Sequence, residues 1–299
     1  MRQLPQPATT ASLRPNTIGA TLARDGARLA AALGLPFADG YREAQGFLAH
    51  VATLSRAQVT ARHRDALDAG MRAAYEDLIA RRSHGEPYAY LVGRREFHGL
   101  DFLVTPAVLI PRPETELLVE AVLGWLGPQQ EIRILDLGTG SGAVAIAVAR
   151  LRPHAQITAV DTSAAALAVA RGNAARLGTP GVRFLESDWF AGLGRERFDI
   201  IVSNPPYVAV DDPHLERGDL RFEPRGALVG GADGLDCIRV LVHHAPLHLK
   251  PGGGLFFEHG YAQAAACRAM LDRARFERVR TIADLAGIER VTHGQKGLH

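Results

Sequence analysis

Apolar residues recur at helical spacing in the first part of the chain. Over residues 16–84 they return every three or four positions, as in Leu22, Leu29 and Leu33, which is the spacing of one face of a helix. Ser55 precedes one such stretch and belongs to a residue type that caps helices. The pattern predicts a small N-terminal helical bundle that carries no chemical motif.

Two segments lack this helical pattern. Residues 1–15 show no apolar period and predict a disordered tail. Residues 85–113 place aromatic and β-branched residues around Gly99 and Asp101, which predicts a hairpin or an extended linker. We therefore place a second domain over residues 114–299.

Strand-like and helix-like patterns alternate along this second domain. Short apolar runs typical of buried strands occur at residues 132–137, 157–160, 182–185, 198–203, 255–258, 276–282 and 288–291. Helical patterns occur at residues 117–126, 142–151, 164–177, 235–249 and 262–274. Pro251 to Gly254 predict a turn between a helix and a strand. Such alternation is typical of a mostly parallel, doubly wound sheet with helices on both faces. The predicted fold class is α/β, with a Rossmann-like domain after a helical bundle.

Composition and charge exclude several classes of protein. The chain has 34 basic and 32 acidic residues, and this balance is not typical of a dedicated duplex-DNA binder. No apolar run is long enough to predict a membrane span, and the N-terminus lacks the apolar core of a signal peptide. Cys237 and Cys267 are the two cysteines, without metal-ligand spacing. We therefore expect a cytoplasmic protein that binds neither membrane nor metal.

A glycine-rich segment, Asp136-Leu137-Gly138-Thr139-Gly140-Ser141-Gly142, follows the first strand of the alternating series. Glycines there let a ligand lie against backbone N–H groups at the carboxyl edge of the sheet. Asp161 ends the next predicted strand and can accept hydrogen bonds from both hydroxyls of a ribose. Asp188 and Trp189 add an acid and a flat apolar surface that suit an adenine ring. Together these residues predict a nucleoside site.

Two cofactor classes could use such a site. A nicotinamide enzyme has similar parts, but its glycines follow the spacing G-x-G-x-x-G. The spacing here is G-x-G-x-G, with Ala143 and Val144 where the third glycine would be expected. With Leu135-Asp136-Leu137 before it, the segment resembles the donor loop of class I S-adenosylmethionine-dependent methyltransferases. We favour a methyl donor and keep the dinucleotide enzyme as the alternative.

A second motif, Asn204-Pro205-Pro206-Tyr207, follows the buried strand at residues 198–203. The prolines remove two backbone donors, which leaves the Asn204 side-chain oxygen and the Pro205 carbonyl as acceptors. Two acceptors match the two N–H bonds of one planar –NH2 group, and the Tyr207 ring can lie against that group. The motif predicts methylation of a planar amino nitrogen and leaves adenine, guanine and glutamine open. We assign no general base.

A wider set of motifs narrows this choice by resemblance. It comprises Gly85-Glu86-Pro87, Tyr90 to Gly93, Glu96-Phe97, Ile110 to Glu116, Asn204 to Tyr207, Arg221 to Pro224, Glu258 to Gly260 and Glu289 to Val291. In combination they resemble the PrmC (HemK) family. Enzymes of that family methylate the side-chain nitrogen of glutamine in the Gly-Gly-Gln tripeptide of class 1 peptide chain release factors. The resemblance covers about residues 83–293, and the family also has a helical N-terminal domain.

The resemblance implies S-adenosyl-L-methionine as donor and a release factor as protein partner. The residues expected to contact the donor are Gly138, Thr139, Gly140, Ser141, Gly142, Asp161, Asp188, Trp189 and Asn204. Substrate contacts are expected at Asn204, Pro205, Pro206 and Tyr207, of which Asn204, Pro205 and Tyr207 are the predicted catalytic residues. Arg112 and Thr115 border the methionine end of the donor or have a structural role, and Glu258 and Phe222-Glu223 are expected to be packing or loop anchors behind the site.

Two other functions stay open at this point. A nucleic-acid amino methyltransferase, acting on adenine N6 or guanine N2, would be expected to carry a strongly basic recognition domain, whereas residues 16–84 have mixed charges. For this reason we expect no stable binding of nucleic acid. A non-catalytic nucleoside-binding module would not require the motif from Asn204 to Tyr207.

Overall fold

The computed structural model describes residues 16–125 and 131–298. The predicted tail at residues 1–15 therefore lies outside the described residues. The chain divides into two compact units, one ending at Val92 and the other running from Gly93 to the C-terminus.

Helices make up most of the described residues of the first unit. Its helices are α1 (Ile18–Leu33), α2 (Phe37–Ala52), α3 (Arg56–Ala61), α4 (Ala69–Ser83) and α5 (Tyr88–Val92). Leu22, Leu29, Phe47 and Tyr75 are buried in its core, as the three- and four-residue spacing predicts for one face of each helix. Ser55 accepts a hydrogen bond from the Gln58 amide at the start of α3, which confirms it as a helix cap. The unit includes α5 and ends at Val92, so it extends beyond the domain boundary that the sequence predicts at residue 84.

The second unit contains a hairpin and a large sheet with helices. Its elements are β1 (Arg94–Phe97), β2 (Leu100–Leu103), α6 (Glu116–Trp125), β3 (Arg133–Leu137), α7 (Ala143–Leu151), β4 (Gln156–Asp161), α8 (Ala164–Arg176), β5 (Arg183–Glu186), β6 (Phe198–Ser203), α9 (Asp236–His248), β7 (Leu249–Glu258), α10 (Ala264–Arg273), β8 (Phe276–Ala283) and β9 (Glu289–Lys296). β1 and β2 pair antiparallel.

The large sheet has seven strands in the order β5-β4-β3-β6-β7-β9-β8. The first five of these pair parallel, and β9 runs antiparallel to both of its neighbours. From β3 the chain continues to one side through β4 and β5 and then returns to the other side at β6. This reversal creates a switch point at the carboxyl ends of β3 and β6, where ligands bind in open α/β sheets. The predicted fold class is confirmed.

Both faces of the sheet are buried, which explains the continuous apolar runs. Ile134 packs into a core with α6 and α7, whereas its neighbour Leu135 packs on the opposite face with α9 and α10. Phe256 and Phe257 divide between the two cores in the same way. Because successive strand residues point to opposite faces, a strand covered on both sides needs apolar residues at every position.

The structure differs from the predicted turn at Pro251 to Gly254. This segment belongs to β7, where the pairing shifts from Phe198 with Leu249 to Ile200 with Gly254. The extra residues form a bulge in the strand. The bulge accommodates the proline and the glycines, and the strand pairing continues after it.

No helix of residues 16–125 or 131–298 is long and apolar enough to cross a membrane.

Candidate active site

The glycine-rich segment forms a loop between β3 and α7, at the switch point. The backbone amides of Gly138 and Thr139 both donate to the Val160 carbonyl at 2.9 Å, which fixes the loop against the end of β4. Gly140 adopts φ +54, and a Cβ placed there would meet no protein atom within 4 Å. The position therefore requires glycine for its left-handed backbone, and it leaves open space for a ligand.

Asp161, the last residue of β4, holds the same loop from the side. Its Oδ2 accepts from the Gly140 amide at 2.9 Å, and its Oδ1 accepts from the Ser163 amide at 2.9 Å. Each carboxylate oxygen keeps a further lone pair. The carboxylate can thus accept additional hydrogen bonds without losing the contacts that orient it.

The turn after β5 lies at the same edge of the sheet as the glycine loop and Asp161. Trp189 has φ +46, a conformation that is costly for a bulky residue, on the order of 1–3 kcal/mol. The Ser187 hydroxyl donates to the Trp189 carbonyl at 3.2 Å and accepts from the Gly192 amide at 2.7 Å. These contacts hold the turn in place, with Asp188 exposed and Trp189 half-buried.

A cavity of about 380 Å³ lies between these three strand ends, a volume in the range of small-molecule sites. The predicted residues that line it are Gly138, Gly140, Asp161, Asp188, Trp189, Asn204 and Pro206. The wall also includes residues 107–109, Pro224, Gly226, Ala227 and Cys237. The sequence patterns did not single out these residues as site positions.

A smaller cavity of about 50 Å³ shares Leu109, Gly138, Gly140 and Asn204 with the first. Its other walls include Arg112, Thr115, Asp136, Thr139 and Ser141. Among the remaining predicted residues, Gly142 caps α7, Pro205 is buried and Tyr207 is half-buried. Those three do not line either cavity.

Asn204 lies where the two cavities meet, directly after β6. The Ser203 hydroxyl donates to the Leu137 carbonyl at 2.7 Å, which ties the end of β6 to the end of β3. The Asn204 Nδ2 donates to Thr115 Oγ1 at 3.0 Å. Within residues 16–125 and 131–298, no donor reaches the Asn204 Oδ1 or the Pro205 carbonyl. Two acceptors of the motif are thus unused by the described fold.

The Pro206 and Tyr207 carbonyls lie against glycines of residues 230–234, farther along the same loop between β6 and α9. A Cβ at Gly234 would lie 2.3 Å from the Tyr207 carbonyl oxygen, and Gly234 has φ +76. Only glycine permits this close approach. Gln263 Nε2 also donates to the Tyr207 carbonyl at 3.0 Å, and the Val208 and Val229 backbones bridge across the loop. The glycine-rich segment Gly230-Gly231-Ala232-Asp233-Gly234 is the sequence feature that indicates this close packing against the acceptor motif. From the sequence alone, no role is assigned to this segment.

Asn173 on α8 is a second position that the prediction missed. Its Nδ2 donates to the Ser141 carbonyl at 2.9 Å and to the Leu103 carbonyl at 3.0 Å, and its Oδ1 accepts from the Leu103 amide at 2.7 Å. The fully buried amide joins the glycine loop to the end of β2. An isolated asparagine on a helix gives no sequence signal for such a role.

An ion pair joins the two segments that flank the larger cavity. Arg112 contacts the Glu223 carboxylate, which also accepts from the Ile110 amide at 3.2 Å. Burial raises the pKa of Glu223, and the Arg112 guanidinium opposes that rise. The pair ties residues 107–112 to the loop that carries Pro224, so Arg112 has a structural contact in addition to its place beside the smaller cavity.

Two buried carboxyl groups give the site its electrostatic character. Burial raises the pKa of Asp136 to about 7, against opposition from the Thr139 hydroxyl, which donates to Asp136 at 2.7 Å. Burial also raises the pKa of Glu258, and the hydroxyls of Thr115 and Tyr207 oppose that rise. Tyr207 donates to Glu258 Oε1 at 2.9 Å. Both carboxyls are 1% exposed.

The residues around the two cavities can bind a small molecule and orient its polar groups. The two cavities offer a carboxylate, an aromatic face, open backbone and, at Asn204, an unused acceptor. Within the part of the chain that the structure describes, no group of three or more His, Cys, Asp or Glu residues is arranged to hold a metal ion. The geometry therefore suits a nucleoside beside a hydrogen-bond donor such as an amino group.

Comparison with known proteins agrees with this arrangement. Residues 27–93 match the PrmC N-terminal domain family, and residues 113–216 match the methyltransferase small domain family. The release factor glutamine methyltransferase of Burkholderia pseudomallei is 53% identical over 260 residues, which cover 85% of this chain and 91% of that protein. The enzyme of the same name from Bordetella pertussis is 51% identical over 253 residues, covering 84% and 93%.

Among the solved structures similar to this chain is the 16S rRNA N2 G1207 methyltransferase of T. thermophilus, in complex with AdoMet and guanosine, at 25% identity and a TM-score of 0.51. The match covers 68% of this chain and 49% of that one. Given relatives that are about half identical over nine-tenths of their length, the chain belongs to the release factor glutamine methyltransferase family, whose catalytic domain has the class I S-adenosylmethionine-dependent methyltransferase fold.

Proposed function

We propose that this protein transfers a methyl group from S-adenosyl-L-methionine to the side-chain amide nitrogen of a glutamine. The acceptor would be the glutamine of the Gly-Gly-Gln motif in a class 1 peptide chain release factor. One observation carries the proposal: Asn204 borders both cavities, and its Oδ1 accepts no hydrogen bond from the described residues while Thr115 accepts from its Nδ2. A free acceptor at that point suits the –NH2 group of an incoming amide.

The donor residues fit S-adenosyl-L-methionine. Asp161 has lone pairs left for both ribose hydroxyls, Trp189 supplies a flat face, and the glycine loop leaves open space beside Gly140. The bound donor would supply an electrophilic methyl group on a sulfonium. Thr139 and Ser141 border the smaller cavity that meets this space at Asn204, which supports a donor site next to the acceptor motif.

The protein's contribution to the transfer is orientation. An amide nitrogen is a weak nucleophile because its lone pair is delocalised. Asn204 Oδ1 and the Pro205 carbonyl would hold its two hydrogens, which directs the lone pair toward the methyl group. These two hydrogen bonds strengthen as the nitrogen gains positive charge, so they stabilise the transition state more than the ground state. Tyr207, held by Glu258, would limit the movement of the planar group.

The rival acceptor is the amino group of a nucleic-acid base. A planar –NH2 on adenine or guanine would satisfy the same two acceptors, and the similar rRNA methyltransferase was solved with guanosine. The match of residues 27–93 to the PrmC N-terminal domain and the near balance of charge favour a protein acceptor. We therefore propose no stable binding of nucleic acid. A cytoplasmic location accords with the two free thiols, Cys237 and Cys267.

The test is methylation by the purified full-length protein, with labelled donor, of purified release factor and of duplex DNA in parallel. Peptide mass spectrometry should place one added methyl group on the glutamine of Gly-Gly-Gln, and a release factor with that glutamine replaced by alanine should stay unlabelled. Labelling of DNA with none of release factor would overturn the substrate assignment.

We expect donor binding to release protons near pH 7. In the free protein the Asp136 carboxyl has a pKa of about 7 because it is buried, so a large fraction of it is protonated at neutral pH. A positively charged donor beside it favours the carboxylate and lowers that pKa. Affinity should therefore rise as the pH increases through this range. Calorimetry in two buffers of different ionisation enthalpy measures the released protons.

Asp136→Asn is the matched variant for this measurement, because it keeps the shape of the side chain and cannot ionise. Its binding enthalpy should be the same in both buffers after correction for other groups. Proton release that persists unchanged in the variant would assign the effect to a different residue.

The helical unit at residues 16–92 is proposed to bind the rest of the large substrate. Removing it should raise KM for whole release factor far more than for a short Gly-Gly-Gln peptide, because remote contacts exist only with the large substrate. Steady-state kinetics on both substrates measure this difference, with circular dichroism to check that the shortened protein is folded. Equal losses on both substrates would remove the docking role.

A further inference from the structure

Buried polar side chains hold both ends of the acceptor motif. At one end, the Asn204 Nδ2 donates to Thr115 Oγ1 at 3.0 Å. At the other, the Tyr207 hydroxyl donates to Glu258 Oε1 at 2.9 Å. Thr115 is 4% exposed and Glu258 is 1% exposed. Glu258 Oε2 accepts no hydrogen bond from the described residues, and the Thr115 hydroxyl opposes the rise that burial causes in the pKa of this carboxyl.

Burial of Glu258 has no explanation in the packing of its strand. The residues before it in β7, Phe256 and Phe257, are buried in apolar cores, and an apolar residue at this position would avoid the cost of burying a carboxylate. An oxygen that lacks a well-formed hydrogen bond adds to that cost. Glu258 accepts from the Tyr207 hydroxyl, and its unpartnered Oε2 is an acceptor available to the Thr115 hydroxyl. The carboxylate is therefore better explained by the site than by the fold.

The direction of these hydrogen bonds determines how the Asn204 amide lies. A threonine hydroxyl has one hydrogen, and a carboxylate can only accept. When Thr115 directs its hydrogen to Glu258, its oxygen can only accept from Asn204. The two ends of an asparagine amide have nearly the same shape, so hydrogen-bond partners decide which end points where. With Nδ2 bound to Thr115, Oδ1 is the end left for the substrate.

We propose that Thr115 and Glu258 are positioning residues that hold the Asn204 amide with Oδ1 toward the acceptor nitrogen and keep Tyr207 in place beside it. The inference rests on the proposed function, since it assigns these residues a role in orienting the methyl acceptor. Neither residue touches the reacting atoms. If the amide turned over, its Nδ2 would meet the –NH2 group of the substrate, and two donors would face each other.

The test compares variants of the full-length enzyme on a Gly-Gly-Gln release factor. Thr115→Val is nearly isosteric but removes the oxygen, and Thr115→Ser keeps it. We expect kcat of Thr115→Val to fall by roughly 10- to 100-fold, which is the scale of a lost hydrogen bond that orients a reacting group. Affinity for S-adenosyl-L-methionine should change less than about threefold, and Thr115→Ser should recover most of the turnover.

A double-mutant cycle separates positioning from general destabilisation. Glu258→Gln keeps the shape but brings an –NH2 group to Thr115, whose hydrogen then loses its charged acceptor. If Glu258 acts through Thr115, Glu258→Gln should lower kcat in the wild-type background and have little further effect in Thr115→Val. Independent structural roles would make the two losses multiply, and that result would overturn the proposal.

Two further outcomes would also overturn it: a Thr115→Val enzyme with kcat within threefold of wild type, or a Thr115→Ser enzyme as impaired as Thr115→Val. Thr115→Ala replaces Thr115→Val if thermal unfolding shows that the latter does not fold. The wild-type enzyme is assayed in parallel on release factor and DNA. If it methylates only DNA, the proposed substrate fails and the same variants are compared on DNA. If it methylates neither, both proposals fail.

Discussion

Asn204→Ala is expected to lower methyl transfer at least ~100-fold, the scale of losing a hydrogen bond that forms fully only in the transition state. The variant removes the unused Oδ1 beside both cavities and the Nδ2 that donates to Thr115. Because Asn204 also borders the larger cavity, some donor affinity should be lost with it. Single-turnover kinetics with saturating donor separate these two effects.

Asp211→Ala is the matched control for this variant. Asp211 is exposed on the same loop and does not line either cavity, so its turnover should equal that of the wild type. A folded Asn204→Ala protein with near-normal turnover would show that the acceptor model is wrong. Equal losses in both variants would point to a disturbed loop and not to a missing acceptor.

Asp161→Ala should weaken binding of S-adenosyl-L-methionine by about 1–3 kcal/mol, the scale of charge-assisted hydrogen bonds. Two effects contribute. The variant loses the acceptor proposed for the ribose hydroxyls, and the Gly140 amide loses the carboxylate that fixes the glycine loop. Isothermal titration calorimetry gives the affinity directly, with NAD as a competing ligand.

Glu186→Ala provides the comparison for Asp161. Glu186 pairs with Asp161 across β4 and β5 and carries the same charge, but it lies outside the cavity walls. Its removal should leave donor affinity within about twofold, since the charge of an exposed side chain is well screened. Unchanged affinity in Asp161→Ala, or tighter binding of NAD than of S-adenosyl-L-methionine, would contradict the donor assignment.

The sequence was sufficient for the fold class and for the local parts of the site. The alternation of apolar runs with helical periods predicts the parallel sheet, because a strand that is buried on both faces has apolar residues at nearly every position. The glycine loop, Asp161, Trp189 and Asn204 could be identified because each directly follows a strand or lies in a short motif. In a parallel sheet, the carboxyl ends of strands share one edge, so position along each strand predicts proximity in space.

The tertiary structure decided what holds these parts in place. Thr115 meets Asn204 from 89 positions away, Glu258 meets Tyr207 from 51, and Asn173 meets Leu103 from 70. Such contacts depend on how distant segments pack. A single polar residue has no periodic pattern in the sequence from which its hydrogen-bond partner could be predicted. The sequence thus determined which residues stand at the edge of the sheet, whereas the packing of remote segments determined which way the Asn204 amide faces, because only its hydrogen-bond partners distinguish the two ends of that group.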